Sequence, residues 1–492
     1  MVTRYPHMYI GGEWVPPASG KYFLSENPAR GEMWAEIPEG SDADVDRAVE
    51  AARKAFEDSE WSRMTPSDRG HVLRRIAEAV RERAETIARL DTTDNGKVLR
   101  DSRAEVEMTW HWFHYFAGMA DKIQGDYLPL TGEQWTYTIR EPVGVVAAIL
   151  PWNSPTMLAS WKLAPALAAG CTVVLKPAEQ TSAGALELAR AIEAAGVPAG
   201  VVNVVTGYGE TVGAALVKHP DVDKIAFTGS TDTAREITRM SAPYLTKLQF
   251  ELGGKSPNII FEDADFEQAL NASLSGMFVN SGQQCSVCSR ILIQESIFDK
   301  FAERFVAAAK KIRVGDPMDP KTHMGAIVSR EQLERIERYV AMAQKEGGTI
   351  LCGGHRPDDP ALQKGYFYTP TVITDMAPSS PVCQDEIFGP VTVLFKFKDE
   401  EEALALANDA SYGLVAGVWT DDIRRAHRMA RRLQAGLVWI NNYRQHHWTQ
   451  PYGGVKMSGY GREGGFEVIR EYTHVKAIQV DMRTYRPAPY QD

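Results

Sequence analysis

Two thiols three residues apart, Cys285 and Cys288, sit in the stretch "FVNSGQQCSVCSRILI" from Phe278 to Ile293. A Cys-x-x-Cys pair supports three kinds of chemistry: a redox disulfide, half of a zinc site, or a nucleophile beside a bystander. A zinc set would have to recruit the distant "CGGH" at Cys352 and His355, and nothing else in the chain supports it. A thioredoxin-type pair needs its first thiol at a helix N-terminus just after a strand. Here the preceding segment reads as helix and the following one as strand. A nucleophilic thiol, with an ordinary pKa of about 8.5, needs help to ionise. Its attack on a carbonyl creates an oxyanion, which calls for a donor such as an asparagine amide. Release of the thioester by water calls for a base.

Asn153 and Glu251 supply those residue types. Asn153 is held between Pro151 and Pro155. Glu251 stands beside Gly253 and Gly254, which admit a close backbone or ligand. Other polar candidates have ordinary readings. His111 and His114 fall among Trp110, Trp112 and Phe113, as a buried aromatic face would. His446 and His447 fall in a loop and could line a pocket.

The elements that must position these residues follow from pattern. The first ~120 residues read as helical after a short strand-rich start. Ser41 and Asp44 open one helix with the stripe Val45, Val49, Ala52, Phe56. A second helix is expected from Ser67 to Leu90. From Val143 the texture changes to short apolar runs, "VGVVAAIL", "CTVVLKP", "VVNVVTG", "DKIAFTGS" and "TKLQFELGG", separated by helical stretches. That alternation implies βαβ units and a parallel sheet, whose ligands bind at the carboxyl ends of the strands. Pro151–Asn153, Lys176–Glu179, Thr228–Ser230 and Glu251–Gly254 occupy those ends. A second α/β unit is expected over about 255–450. The segment 123–142 and the tail after His474 read as strands that could pair with another subunit.

Phosphate binding has two candidate sites. "TGYGETVG" carries one residue too many before its third glycine for the dinucleotide fingerprint. In "FTGSTDTAR" a strand ends, Gly229 turns and Ser230 opens a helix, whose free N–H groups and dipole favour an anion.

Composition bounds the rest. The 492 residues are 44% apolar and 24% charged, as in an ordinary globular enzyme of several domains. The net charge of −10 argues against a nucleic-acid partner. Five cysteines are too few, and odd, for a disulfide scaffold. The N-terminal stretch does not read as a signal peptide, and no run approaches the roughly 18 apolar residues of a membrane helix. A cytoplasmic location and no membrane partner are therefore expected.

Taken together, the motifs resemble the aldehyde dehydrogenase superfamily over nearly the whole chain. "PWNSP" (151–155), "KPAEQT" (176–181), "FTGS" (227–230), "ELGGKSP" (251–257), "GQQCS" (282–286), "EIFGPV" (386–391), "NDASYGL" (408–414) and "SGYGRE" (458–463) stand in that family's order. The resemblance implies an α/β fold: a Rossmann-like parallel-sheet cofactor domain (1–122 and 143–254), an α/β catalytic domain (255–450) and a small β oligomerisation element (123–142 and 474–492). It implies Cys285 as nucleophile, Asn153 as oxyanion donor, Glu251 as the water-activating base, and no metal. Lys176 and Glu179 match the adenosine ribose positions, Gly229 and Ser230 the pyrophosphate site, and Glu386 with Phe388 the nicotinamide side. Trp152 matches a residue whose backbone lies in the cofactor cleft. Cys288 becomes the bystander, a thiol placed where it could form a protective link with Cys285.

Glu179 suits a 2′-hydroxyl and would repel a 2′-phosphate, so NAD is preferred, with NADP possible. Glu251 favours hydrolysis to a free acid over acyl transfer. By the same matching, Met108, Trp112, Leu158, Trp161, Arg444, His446, His447 and Tyr452 line the substrate tunnel, with Ser154 widening it. The aromatic residues favour an aromatic or long apolar aldehyde, while Arg444 and the histidines could bind a carboxylate or other polar tail. The expected partner is a small aldehyde, and the assembly a homo-oligomer, a tetramer rather than a dimer. The alternatives are an NADP-preferring semialdehyde dehydrogenase, a non-catalytic relative, and a zinc or dithiol protein.

Overall fold

The computed structural model describes residues 2–130 and 134–482. Its first sheet has the strand order Gly459–Tyr460, Lys247–Glu251, Lys224–Thr228, Val145–Ile149, Thr172–Lys176, Val202–Val204, Met8–Ile10, Glu13–Val15. The strands from Lys247–Glu251 across to Val202–Val204 are parallel to one another. They read as unbroken apolar runs because both faces are covered. Val146 and Ala148 pack into one core, while Val145, Ala147 and Ile149 pack into the core on the opposite side.

The strand order reverses beside Val145–Ile149. The chain moves from there to Thr172–Lys176 and Val202–Val204 on one side, then returns to lay Lys224–Thr228 on the other. At such a reversal the loops after adjacent strands diverge and leave a crevice. Pro151–Asn153 and Thr228–Ser230 are those loops.

A second sheet runs Thr349–Cys352, Thr371–Thr374, Val391–Phe397, Arg290–Gln294, Pro257–Ile260, Val415–Trp419, Leu437–Ile440. All its pairings are parallel except the outer one of Thr349–Cys352.

Helix Asp42–Glu57 starts where Ser41 and Asp44 predict, and the Ser41 N–H donates to the Asp44 carboxylate at 3.0 Å. The long helix expected from Ser67 to Leu90 is instead two, Pro66–Glu82 and Ala84–Asn95. The break falls at Arg83, whose backbone leaves helical geometry and whose guanidinium reaches Glu187 at 2.7 Å. Helix Pro155–Ala169 is buried on every side except near Met157, as its almost wholly apolar sequence requires. Leu158, Trp161 and Lys162 share one face of it by their three- and four-residue spacing.

The segments expected to pair with another subunit pair with each other. Thr473–Asp481 runs antiparallel to Gln134–Pro142 along their full lengths, and Tyr127–Leu128 adds a third strand. Residues 131–133 and 483–492 of that expected element lie outside the described residues. The little sheet leaves Tyr127, Trp135, Val475 and Val480 exposed.

Candidate active site

A cavity of about 580 Å³ opens at the reversal point of the first sheet, between it and the second. Trp152, Asn153, Leu158, Gly229, Ser230, Glu251, Cys285, Glu386 and Phe388 all line it. Residues from five separate stretches of chain thus meet around one space.

Cys285 is presented by an unusual turn. Helix Phe266–Phe278 ends, and Asn280, Ser281 and Gly282 then follow one another in the left-handed region, at φ 45°, 56° and 73°. Two of the three carry side chains, so the turn is strained and must be held from outside. The Asn280 amide donates to the Asn153 carbonyl (3.0 Å), and the Ser281 hydroxyl to the Gly325 carbonyl (2.9 Å). Gln283 accepts from the Val328 N–H (2.9 Å) and donates to the Ala326 carbonyl (3.3 Å). Gly282 has no substitute, because a Cβ there would lie 2.2 Å from the Gly389 carbonyl oxygen.

Asn153 is fixed from both ends. Its carbonyl also accepts from the buried Lys97 ammonium at 2.5 Å, and Lys97 pairs with Glu105 at 2.6 Å. Glu105 in turn accepts from the Ser154 hydroxyl (2.8 Å), which accepts from the Gln284 amide (3.1 Å). The Asn153 amide donates to the Gln283 carbonyl at 3.1 Å. A side-chain amide has two N–H donors, so a second donor is left to serve the cavity that Asn153 lines.

Glu251 ends its strand almost fully buried, with Oε1 lacking any partner. Burial pushes its carboxyl up to about 8, against the Lys162 charge and a hydrogen bond from Cys285. That places a carboxylate near the acidity of a general base at neutral pH. The two glycines after it have steric reasons. A Cβ on Gly253 would meet Glu386 Oε2 at 2.3 Å, and one on Gly254 the Cys285 carbonyl at 2.5 Å. The Gly254 N–H donates to Glu386 Oε1 at 2.9 Å. Burial pushes Cys285 well above the usual thiol range, and the charge of Glu251 adds to that.

The cofactor-side residues divide. Glu386 and Phe388 line the cavity on a loop clamped by helix Arg330–Lys345: Gln332 donates to the carbonyls of Ile387 and Phe388, and Arg335 to that of Glu386. Phe388 takes a left-handed backbone and sets its ring edge-on to Trp152 at 5.2 Å. Ser230 caps helix Thr231–Ser241 by accepting from the Thr233 N–H at 3.1 Å. Gly229 leaves room for the Phe227 ring, which a Cβ would meet at 2.4 Å. Lys176 and Glu179 do not line the main cavity. They pair loosely with each other at 3.5 Å, with Lys176 packed near Gly213.

The expected tunnel residues also divide. Leu158 lines the cavity. Trp161 packs edge-on against Tyr452 at 5.2 Å, and Tyr452 packs against His446 at 5.1 Å. Trp112 is buried behind Trp161, stacked on it at 4.8 Å. His447 is exposed, stacked on Trp448 and hydrogen-bonded to Thr449, and does not line the cavity. Met108 is half-buried on helix Leu99–Met119 and does not line the cavity. Arg444 is half-buried in a left-handed conformation, its Nε without a partner. With burial, its charge drives the His446 imidazole down to about 3, so that ring is neutral. The Cys288 thiol is free and donates to the Ser273 carbonyl at 3.4 Å, while Cys285 faces Tyr452. Among the described residues no cluster of three or more histidine, cysteine or acidic side chains is disposed to hold a metal.

The model of the aldehyde dehydrogenase family matches residues 14–478. The chain belongs to the aldehyde dehydrogenase family. An aldehyde dehydrogenase of Enchytraeus buchholzi is 46% identical over 481 residues, covering 97% of this chain and 96% of the relative. The betaine aldehyde dehydrogenase of Staphylococcus aureus, solved in complex with NAD+, superposes with a TM-score of 0.97 at 42% identity, covering 99% of this chain and 97% of that one. PnpE of Pseudomonas sp. WBC-3 superposes with a TM-score of 0.96 at 44% identity over the full length of both chains.

Sequence reasoning passed over Lys97, Glu105, Asn280, Gln283, Gln332 and Arg335. Only Asn280 carried a local signal: an asparagine followed by Ser-Gly suits a left-handed turn. The others act across long sequence separations.

Proposed function

We propose that this protein oxidises an aldehyde to its carboxylic acid with NAD through a covalent cysteine intermediate. The observation that carries the reading is the meeting of Cys285, Glu251 and Asn153 around one cavity that also reaches Ser230, Glu386 and Phe388. The Cys285 thiolate attacks the carbonyl carbon, forming a C–S bond. The resulting oxyanion accepts hydrogen bonds from the Asn153 amide and the Cys285 backbone N–H. Loss of the C–H hydride to NAD, when bound, would turn this adduct into a thioester; Glu251 then takes a proton from the water that attacks it, releasing the acid and the thiolate.

The cavity suits NAD on physical grounds. Glycines at 229 and 253 keep its wall low, the N-terminus of helix Thr231–Ser241 faces it, and Glu386 offers a carboxylate to a ribose. NAD when bound supplies the hydride acceptor. Glu179, which would repel a 2′-phosphate, favours it over NADP. Residues 1–122 and 143–254 are assigned to cofactor binding and 255–450 to catalysis. Trp161, Tyr452 and the neutral His446 favour an aromatic or extended apolar aldehyde. The exposed apolar residues of the terminal sheet support contact between copies in a homotetramer, and a cytoplasmic location fits the absence of a membrane-length apolar helix among the described residues.

An aldehyde panel followed at the NADH absorbance, with NAD and with NADP, tests the assignment. Wild type should turn over with NAD, and Cys285→Ala should not. Equal rates in the two proteins would overturn it.

A further inference from the structure

A tyrosine hydroxyl lies against the Cys285 sulfur. Tyr452 is almost fully buried, and its hydroxyl oxygen lies 3.3 Å from the Cys285 sulfur. The contact is built rather than incidental. The Tyr452 backbone exchanges two 2.7 Å hydrogen bonds with Glu463, and Glu463 is anchored by Lys162 at 2.8 Å. The ring is wedged edge-on between Trp161 and His446. Both backbone and ring are therefore fixed, and the hydroxyl has little freedom to leave the sulfur.

The charges around the sulfur make this contact matter. Glu251 and Glu386 both face Cys285, and both disfavour a thiolate. Lys162 is paired with Glu463, and Arg444 lies toward Cys288 and His446. His446 is neutral, with Nε2 3.4 Å from the Ser286 hydroxyl. The Tyr452 hydroxyl, by contrast, favours the charged form of Cys285 through its hydrogen bond. Its own ionisation is pushed well above the ordinary phenol range by burial and by the charges of Cys285 and Glu251. A phenol is ordinarily a weaker acid than a thiol, so the hydroxyl keeps its proton when the thiol loses one.

We infer that Tyr452 is a further catalytic residue, whose hydroxyl donates a hydrogen bond to the Cys285 thiolate and holds it ready for attack. The phenol serves as a fixed donor and transfers no proton. A hydrogen bond to an ion is about twice as strong as a neutral one, so it favours thiolate over thiol. When the sulfur bonds to the substrate carbon its charge is lost, and the donor's pull weakens. The advantage therefore lies in the resting enzyme and in the rate of first attack.

This rests on Cys285 being the nucleophile, and the test separates the two ideas by reading the thiol directly. Tyr452→Phe keeps the ring and removes one oxygen. The rate of Cys285 alkylation by iodoacetamide, measured across pH by intact mass without aldehyde or NAD, should show its midpoint moved upward by about one unit. In steady state, kcat/KM at pH 7.5 should fall about tenfold in parallel, and the deficit should shrink as the pH rises. An unchanged midpoint, with only KM raised, would make Tyr452 a mere pocket wall and overturn the inference. An unaltered alkylation profile in Ser286→Ala supports Tyr452 as the donor, and a shift equal to that of Tyr452→Phe would transfer the role to the Ser286 hydroxyl. If Cys285→Ala remained active, the nucleophile assignment itself would fail, whatever the alkylation profile.

Discussion

Burial of Glu251 sets a pH signature on one step alone. Its carboxyl is pushed up from 4.5 to about 8, so only about one in ten molecules carries the carboxylate at pH 7, and about one in a hundred at pH 6. If the ionised form activates water, thioester hydrolysis should rise roughly fiftyfold between pH 6 and 8 and level above about 9. The assay loads the enzyme with aldehyde and NAD in a single turnover, quenches at intervals and follows the acylated Cys285 by intact mass. Glu251→Gln should accumulate the thioester and hydrolyse it at least about a hundredfold more slowly above pH 8. Lys162→Met should move the wild-type midpoint higher, because the Lys162 charge pulls the Glu251 carboxyl down and Glu463, left unpaired, pushes it up. Stability gives a second readout. The folded state binds this proton more tightly than the unfolded one, so the associated stability is full below 4.5 and is lost as the pH rises through about 8. Glu251→Gln should flatten the fall in unfolding free energy across that window. Wild-type deacylation that stays level from pH 6 to 9 would refute the water-activation argument.

Lys97→Met strands the Glu105 carboxylate and should cost about 3–5 kcal/mol in urea unfolding, with kcat reduced, and adding Glu105→Gln should restore part of the stability. Gly253→Ala drives a methyl group into the Glu386 carboxylate and should weaken NAD binding about tenfold or more by fluorescence titration, in line with loss of one charged hydrogen bond, while leaving the circular dichroism spectrum intact. Trp135→Lys with Val480→Lys places charges on one exposed apolar face of the terminal sheet, where the two residues pair across the strands at 59% and 38% exposure. Sedimentation should show smaller species, and an unchanged assembly would remove that sheet from the subunit contact.

Part of this site is legible as local pattern. Unbroken apolar runs bounded by turn residues mark Val145–Ile149, Thr172–Lys176, Lys224–Thr228 and Lys247–Glu251, because strands covered on both faces tolerate no polar alternation. The residues at or just past the ends of three of those strands, Asn153, Ser230 and Glu251, then fall on the cavity because parallel strands all point their carboxyl ends to one edge. The same periodicity misled at Arg83, where an apolar stripe continues through a break that a contact with Glu187 fixes.

Residue type and order alone determined the kind of chemistry: a thiol, an amide and a carboxylate at the ends of their segments, with glycines wherever neighbours must come close. Packing alone decided where each side chain faces. It turned His447 outward onto Trp448, aimed Cys288 at Ser273 and set Lys97 beneath Asn153, and it brought the Tyr452 hydroxyl against the Cys285 sulfur across 167 positions of chain. Short-range pattern records only how a segment rotates about its own axis. The direction in which a side chain meets a distant partner is fixed when whole layers close on one another, and no spacing along the chain encodes it.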